Sequence, residues 1–173
     1  MIDPMTGLIS GQVDRDAFEN GPVYPVTVTV TDSANLSAAA TFNWTVTNAG
    51  PASVTATEFL NATTALANSV TSTGINPVEQ LYVENGHRVQ LKLNGPFGIP
   101  SGLAMSDIQY RIGNSPTAPK GTFGPTNTLM FTPSFPSSGI YPIVYVGVDL
   151  DKNGSISADE ETQKIAIHKL VFD

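Results

Sequence analysis

Apolar residues occupy every second position in two stretches near the start of the chain. The first holds Val26, Val28 and Val30, and the second holds Phe42, Trp44 and Val46. A period of two places alternate side chains on opposite faces of an extended strand. The two stretches flank a polar turn at residues 33–37, so we predict a β-hairpin. Because Trp44 shares a face with Phe42, we expect it in a core and not on a sugar-binding surface.

The same short, strand-like pattern recurs through the rest of the chain. It predicts six or seven further strands, which lie near residues 54–60, 81–83, 89–93, 108–112, 129–131, 139–148 and 163–172, with a possible short one near Phe123. We expect a hairpin turn at residues 84–87, a loop or short helix at 61–73, and a loop at 94–101. Short strands separated by turns predict an all-β, immunoglobulin-like β-sandwich.

Composition excludes several functions. The formal charge of −7 argues against a nucleic-acid partner, which requires a basic surface. The chain has no cysteine, so neither disulfides nor thiolate metal sites are available. No apolar run reaches the length of a membrane span, and no signal peptide begins the chain. We therefore expect no membrane insertion, and a piece of a longer protein whose targeting signals lie elsewhere.

Residues 149–160 carry the most specific pattern in the chain, Asp-Leu-Asp-Lys-Asn-Gly-Ser-Ile-Ser-Ala-Asp-Glu. Side-chain oxygens occur at loop positions 1, 3 and 5, a glycine at position 6 and a glutamate at position 12, as in an EF-hand calcium loop. We expect Ca²⁺ as cofactor, bound by Asp149, Asp151, Asn153, the carbonyl of Ser155, Ser157 through water, and Glu160. Five of the fifteen acidic residues lie between positions 149 and 161, so a bound cation would offset much of the charge.

The flanks of this loop are not those of an EF-hand. Residues 139–148 and 163–172 read as strands, and only residues 158–162 have room for a helical turn. We therefore expect the calcium loop to join the last two strands of a sandwich. In that place, calcium would stiffen the fold, and no pair of helices would open.

The first 48 residues resemble the bacterial cadherin-like, immunoglobulin-like modules that repeat in large surface proteins. The resemblance is carried by Ile2-Asp3-Pro4 with Thr6-Gly7, Ile9-Ser10-Gly11, Tyr24 with residues 26–32, and Phe42-Asn-Trp-Thr-Val-Thr47. It implies that residues 1–48 are the C-terminal half of such a module. Pro51 marks a domain boundary, and the strand pattern after it predicts that residues 49–173 form an immunoglobulin-like β-sandwich of their own. The resemblance also implies an extracellular location at a bacterial cell surface, with neighbouring modules of the same long chain as partners.

An internal repeat accords with two related units. Tyr24 and Tyr141 each precede a proline and an apolar run, and an aspartate follows eight residues later in both cases, at Asp32 and Asp149. Both tyrosines resemble the tyrosine corner of immunoglobulin-like sandwiches, whose hydroxyl bonds to the backbone upstream.

Two functions of different class remain open. Catalysis is not expected, because the two histidines lack recognisable partners and no nucleophile or phosphate-binding motif occurs. The first function is a calcium-stiffened structural or adhesion module that contacts a cell-surface protein or glycan. The alternative is a carbohydrate-binding module of a secreted polysaccharide-active enzyme, with Tyr82, Tyr110 or Trp44 stacking on sugars.

Overall fold

A computed structural model describes residues 2–11, 13, 17, 23–46, 49–113, 115, 118–135 and 142–171. The chain divides into two compact units, residues 1–47 and 48–173. The prediction that the first unit is half of a longer module stays a prediction.

The described residues of the first unit include a hairpin, formed by β1 (Val23–Thr31) and β2 (Ser37–Thr45). The hydroxyl of Tyr24 donates a hydrogen bond to the carbonyl oxygen of Ala17, in agreement with a tyrosine corner. The related position, Tyr141, lies outside the described residues. Trp44 and Phe42 lie on one face of the hairpin, but they are 46% and 44% exposed. The expectation that Trp44 is a core residue is therefore wrong for the described part of this unit.

In the part of the second unit that the structure describes, nine strands form two sheets. They are β3 (Gly50–Phe59), β4 (Ala65–Ser72), β5 (Glu79–Val83), β6 (Arg88–Gly98), β7 (Ile108–Ile112), β8 (Lys120–Thr122), β9 (Thr128–Phe131), β10 (Ile143–Val148) and β11 (Glu161–Lys169). One sheet has the order β4-β3-β6-β9, and the other has the order β5-β11-β10-β7-β8. A 3-10 helix, Met105–Asp107, precedes β7. The fold is all-β and consistent with an immunoglobulin-like sandwich, as predicted.

The core lies between the two sheets and contains aliphatic side chains from both. Its members are Val54, Ala56, Leu81, Val83, Val89, Leu91, Leu93, Ile108, Val144, Val146, Val148, Ile165 and Ile167. Within most strands these residues stand two apart, because only alternate side chains of a strand face the opposite sheet. β10 lies in the middle of its sheet, between β7 and β11. It is therefore fixed on both sides just before Asp149.

Three local predictions in the second unit are corrected by the fold. Residues 61–73 contain the strand β4, which lies at a sheet edge and is exposed on most of its length. Residues 84–87 do not close a hairpin, because β5 pairs in parallel with β11 while β6 belongs to the other sheet. Residues 94–98 are not loop, since β6 continues to Gly98 opposite Gly50.

Candidate metal centre

The loop of residues 149–160 connects β10 to β11, which are antiparallel neighbours. Its two ends meet where the amide of Val148 donates to the carbonyl oxygen of Glu160 over 3.1 Å. Gly154 and Lys152 have φ angles of 82° and 58°, and the side chain of Ile156 is buried. Left-handed residues bend the loop sharply, and the buried isoleucine anchors it to the domain. Residues 158–160 form a turn, and β11 begins at Glu161, so the turn expected over 158–162 is shorter.

Three carboxylates of the loop converge. One oxygen each from Asp149, Asp151 and Glu160 lies within 4.8 Å of the others. Asp149 and Glu160 are buried, at 2% and 8% exposure, while Asp151 is exposed. These residues occupy loop positions 1, 3 and 12, where the sequence predicted carboxylate ligands. Sequence positions far apart within the loop thus come together in space.

Asp149 is held by three donors. Its Oδ1 accepts the amide of Asn153 over 3.0 Å, and its Oδ2 accepts the amide of Gly154 over 2.8 Å. Oδ2 also accepts Nε2 of Gln109, which lies 2.7 Å away on β7. The aspartate is consequently fixed by its own loop and by a neighbouring strand.

Glu160 closes the loop from its other end. Its Oε1 accepts the amide of Leu150 over 2.7 Å, and its Oε2 accepts both the amide and the hydroxyl of Ser157, over 2.7 and 2.8 Å. Because these donors belong to both halves of the loop, the glutamate carboxylate lies across its interior. Glu160, at loop position 12, therefore links the two halves of the loop by hydrogen bonds.

The remaining predicted ligands, Asn153, Ser155 and Ser157, lie in the same loop. Nδ2 of Asn153 donates to Oδ2 of Asp151 over 2.8 Å. Ser155 is half-buried, and the hydroxyl of Ser157 is directed to Glu160. The structure therefore groups Asp149, Asp151 and Glu160, and it holds Asn153 and Ser157 against them by hydrogen bonds.

Positive charge is distributed unevenly around this end of the sheet. Within the described ranges, no lysine, arginine or histidine forms an ion pair with Asp149, Asp151 or Glu160. The adjacent Glu161, by contrast, pairs with Arg111 and lies 3.4 Å from Nζ of Lys164. Two unit charges about 5 Å apart repel by about 3 kcal/mol at an effective dielectric constant of about 20. The cluster thus has the charge and the oxygen donors that suit a hard divalent cation.

Gln109 is the residue at this site that the sequence pattern did not identify. It stands forty positions before Asp149 and carries no metal-binding motif. Only the pairing of β7 with β10 brings it to the loop, so no local signal in the sequence could have found it.

The aromatic residues of the carbohydrate hypothesis lie in different settings. Tyr110 is half-buried and packs edge-on against Phe123, with ring centroids 5.7 Å apart. Tyr82 is 48% exposed and stacks on His168, with centroids 4.9 Å apart and an interplanar angle of 21°. Tyr110 is therefore poorly placed to stack on a sugar, whereas Tyr82 presents an accessible ring.

Comparison with known proteins finds a similarity to one family, and this similarity covers only the first unit. In the described residues there is no helix with the length and apolarity needed to cross a membrane. No curated protein and no solved structure matched the chain. Residues 1–47 match the family model described as "Putative Ig domain". The first unit is therefore similar to immunoglobulin-like modules of that family.

Proposed function

We propose that this chain is a non-catalytic, calcium-binding structural or adhesion module of a large bacterial cell-surface or secreted protein. The observation that carries this proposal is the convergence of Asp149, Asp151 and Glu160 within 4.8 Å, in a loop where no described cationic side chain pairs with them. Mutual repulsion of the three carboxylates would be relieved by a divalent ion.

The donor chemistry favours calcium over other metals. All candidate ligands are oxygens, and the chain has no cysteine. Calcium accepts six to eight oxygens in flexible geometry, whereas Mg²⁺ demands a near-ideal octahedron and Zn²⁺ favours nitrogen and sulfur. A loop with a long glutamate at its end and an amide or hydroxyl at intermediate positions suits the more flexible ion.

Calcium binding would act on the fold through the two strands that the loop joins. β10 is an inner strand of the five-stranded sheet, and β11 links it to β5. An ion held by Asp149 at the end of β10 and by Glu160 just before β11 would oppose separation of these strands. Extracellular calcium modules bind with dissociation constants of about 10⁻⁴–10⁻³ M, which matches an ion that stiffens a protein outside the cell.

The first unit supports the proposal that this chain is part of a longer cell-surface or secreted protein. The similarity of residues 1–47 to immunoglobulin-like modules suggests a structural or adhesive part in a longer chain of such modules. This protein would then contact the neighbouring modules of the same long chain. A cell-surface protein or a glycan would be the adhesive partner.

Calorimetric titration of the whole chain tests the proposal. CaCl₂ added to chelator-treated protein should give a saturable isotherm with one site, and MgCl₂ at the same concentrations should bind far more weakly. If calcium produces no binding heat and no change in melting temperature, the proposal fails.

The exposed ring of Tyr82 favours carbohydrate binding as a second candidate function. A flat aromatic surface, supported from behind by His168, is suited to stacking on a sugar ring. Glycan-array binding that is saturable and is lost in Tyr82→Ala would support this second function. An unchanged glycan profile in Tyr82→Ala would exclude this ring as the binding surface.

A further inference from the structure

We infer that Gln109 is a positioning residue for the calcium site, which orients Asp149 and thereby sets calcium affinity. This inference rests on the proposed function. Nε2 of Gln109 lies 2.7 Å from Oδ2 of Asp149. Both side chains are buried, at 7% and 2% exposure, so water does not compete freely for this bond.

Strand pairing fixes the distance between the two residues. Gln109 stands opposite Gly147 in the β7–β10 ladder, and Ile108 stands opposite Val148. The amide of Asp149 then donates to the carbonyl oxygen of Asp107 over 2.8 Å, one step beyond the last pair. The backbone of Asp149 is thus held by the same segment that supplies the glutamine.

The bonds already made by Asp149 determine what it can still accept. An ionised carboxylate has room for about four hydrogen bonds or ligands on its two oxygens. Three protein donors, from Gln109, Asn153 and Gly154, occupy Asp149. About one acceptor position is left, and the three donors fix its direction. The Asp149 carboxylate is therefore oriented so that one of its oxygens can bind an ion.

Loss of the Gln109 amide would remove one of the three hydrogen bonds that orient the Asp149 carboxylate. The buried Oδ2 would keep the amide of Gly154 but lose its side-chain donor, and the carboxylate could turn away from the position that serves the ion. Removal of a group that orients a metal ligand typically costs 10–100-fold in metal affinity. We expect a loss in that range for Gln109→Met, which keeps the length of the side chain.

A second buried glutamine provides the matched control. Gln163 is fully buried, and its Nε2 donates to the carbonyl oxygen of Pro51 over 2.8 Å. Oε1 of Gln163 also accepts the hydroxyl of Thr162, so Gln163→Met removes two hydrogen bonds of a buried glutamine on β11, but none to a proposed ligand. A merely structural role of Gln109 would make the two variants alike in calcium affinity.

The experiment is calorimetric titration with CaCl₂ of the whole chain, as wild type, Gln109→Met and Gln163→Met, well below each melting temperature. Gln109→Met should bind calcium about 10–100-fold more weakly than wild type, and Gln163→Met within about threefold of it. Binding by Gln109→Met within about threefold of wild type would overturn the inference and leave the proposed function intact. Absence of calcium binding by the wild-type chain would overturn the proposed function itself, and the inference with it.

A measurement on the wild-type chain covers the case in which Gln109→Met does not fold. The side-chain amide signals of Gln109, followed by nuclear magnetic resonance, should shift as calcium is added and saturate with the calorimetric dissociation constant. Signals that stay unchanged at saturating calcium would overturn the inference.

Discussion

Gly147 and the carbonyl oxygen of Glu160 approach so closely that a Cβ atom on Gly147 would lie 2.0 Å from that oxygen. The same carbonyl accepts the amide of Val148 and so closes the loop of the candidate metal centre. The register of β10 against β11 shifts between Val146 and Gly147, which marks a β-bulge at this point. Glycine at position 147 is therefore required by the close approach of the loop's end to the strand.

Gly147→Ala should destabilise the second unit and separate the two ends of the loop. Backbone must move to admit the methyl group, at a cost of at least about 1–3 kcal/mol in the free energy of unfolding. Chemical denaturation measures this loss. Gly121→Ala is the control, because its Cβ would meet no backbone among its nearest atoms, which belong to the side chain of Tyr110, with the hydroxyl oxygen at 3.3 Å. Equal stability of Gly147→Ala and wild type would contradict the close approach.

Calcium should raise the melting temperature of the wild-type chain, and Asp149→Ala or Glu160→Ala should abolish the rise. At a calcium concentration about one-hundred-fold above the dissociation constant, binding contributes about 2.7 kcal/mol, or about 5–10 °C for a domain of this size. Scanning calorimetry with and without calcium measures it. Asp159→Ala removes the same charge from an exposed residue outside the cluster and should keep the full rise. A full rise in both ligand variants would refute the assigned ligands.

Glu58 should make the stability of the second unit sensitive to acid. Burial acts to raise the pKa of Glu58, but hydrogen bonds from Asn68, the amide of Glu84 and His87 outweigh it, so the pKa lies below its ordinary value of 4.5. A carboxylate with a depressed pKa in the folded state stabilises the fold above the unfolded pKa. Its contribution is therefore complete above pH 4.5 and is lost as the pH falls through the lower folded value.

The test of this acid sensitivity is Glu58→Gln, measured by urea unfolding as a function of pH. The variant should lose about 1–3 kcal/mol at neutral pH, because hydrogen bonds to a charged acceptor are replaced by weaker ones. The difference from wild type should shrink below pH 4.5. A difference that stays constant across this range would contradict the prediction.

His168 should produce a second, separate loss of stability at mildly acidic pH. Burial lowers the pKa of His168 from its ordinary value of 6.5, because the charged imidazolium is poorly solvated there. Below pH 6.5 the unfolded chain therefore takes up the proton first, and stability falls until the lower folded pKa is passed. His168→Phe keeps a ring beside Tyr82 and should remove this part of the pH dependence. Melting temperatures measured at a series of pH values, with a chelator present, test this prediction. If the melting temperature of His168→Phe falls with pH as steeply as that of wild type, the prediction is wrong.

Alternation of apolar and polar residues was sufficient to predict most strands. β1, β2, β7, β10 and β11 all overlap predicted stretches, because a strand between core and solvent, or one buried on both faces, leaves a periodic or continuous apolar pattern. β4 left no such pattern. It is an edge strand whose side chains are mostly exposed, and it is held by backbone pairing with β3 and by contacts such as that between the hydroxyls of Thr55 and Thr71, 2.9 Å apart.

The alternation of apolar and polar residues did not predict which strands pair. β5 and β6 alternate as the two arms of a hairpin would, yet each contributes to the core from a different sheet. Trp44 shows the same limit in the first unit, since its spacing indicates a face but not whether anything covers that face. Period two identifies which side of a strand is apolar, and it carries no information on the partner.

The sequence by itself determined the class of fold and the loop in which the acidic residues gather, because strand periodicity and the spacing within a twelve-residue loop are local properties. Only the tertiary structure decided that β5 lies beside β11, that Gly147 must admit the carbonyl of Glu160, and that Gln109 reaches Asp149. Each of these contacts joins segments that are distant along the chain. They depend on which strands pair, and pairing is set by the burial of the whole core at once and not by any short stretch of residues.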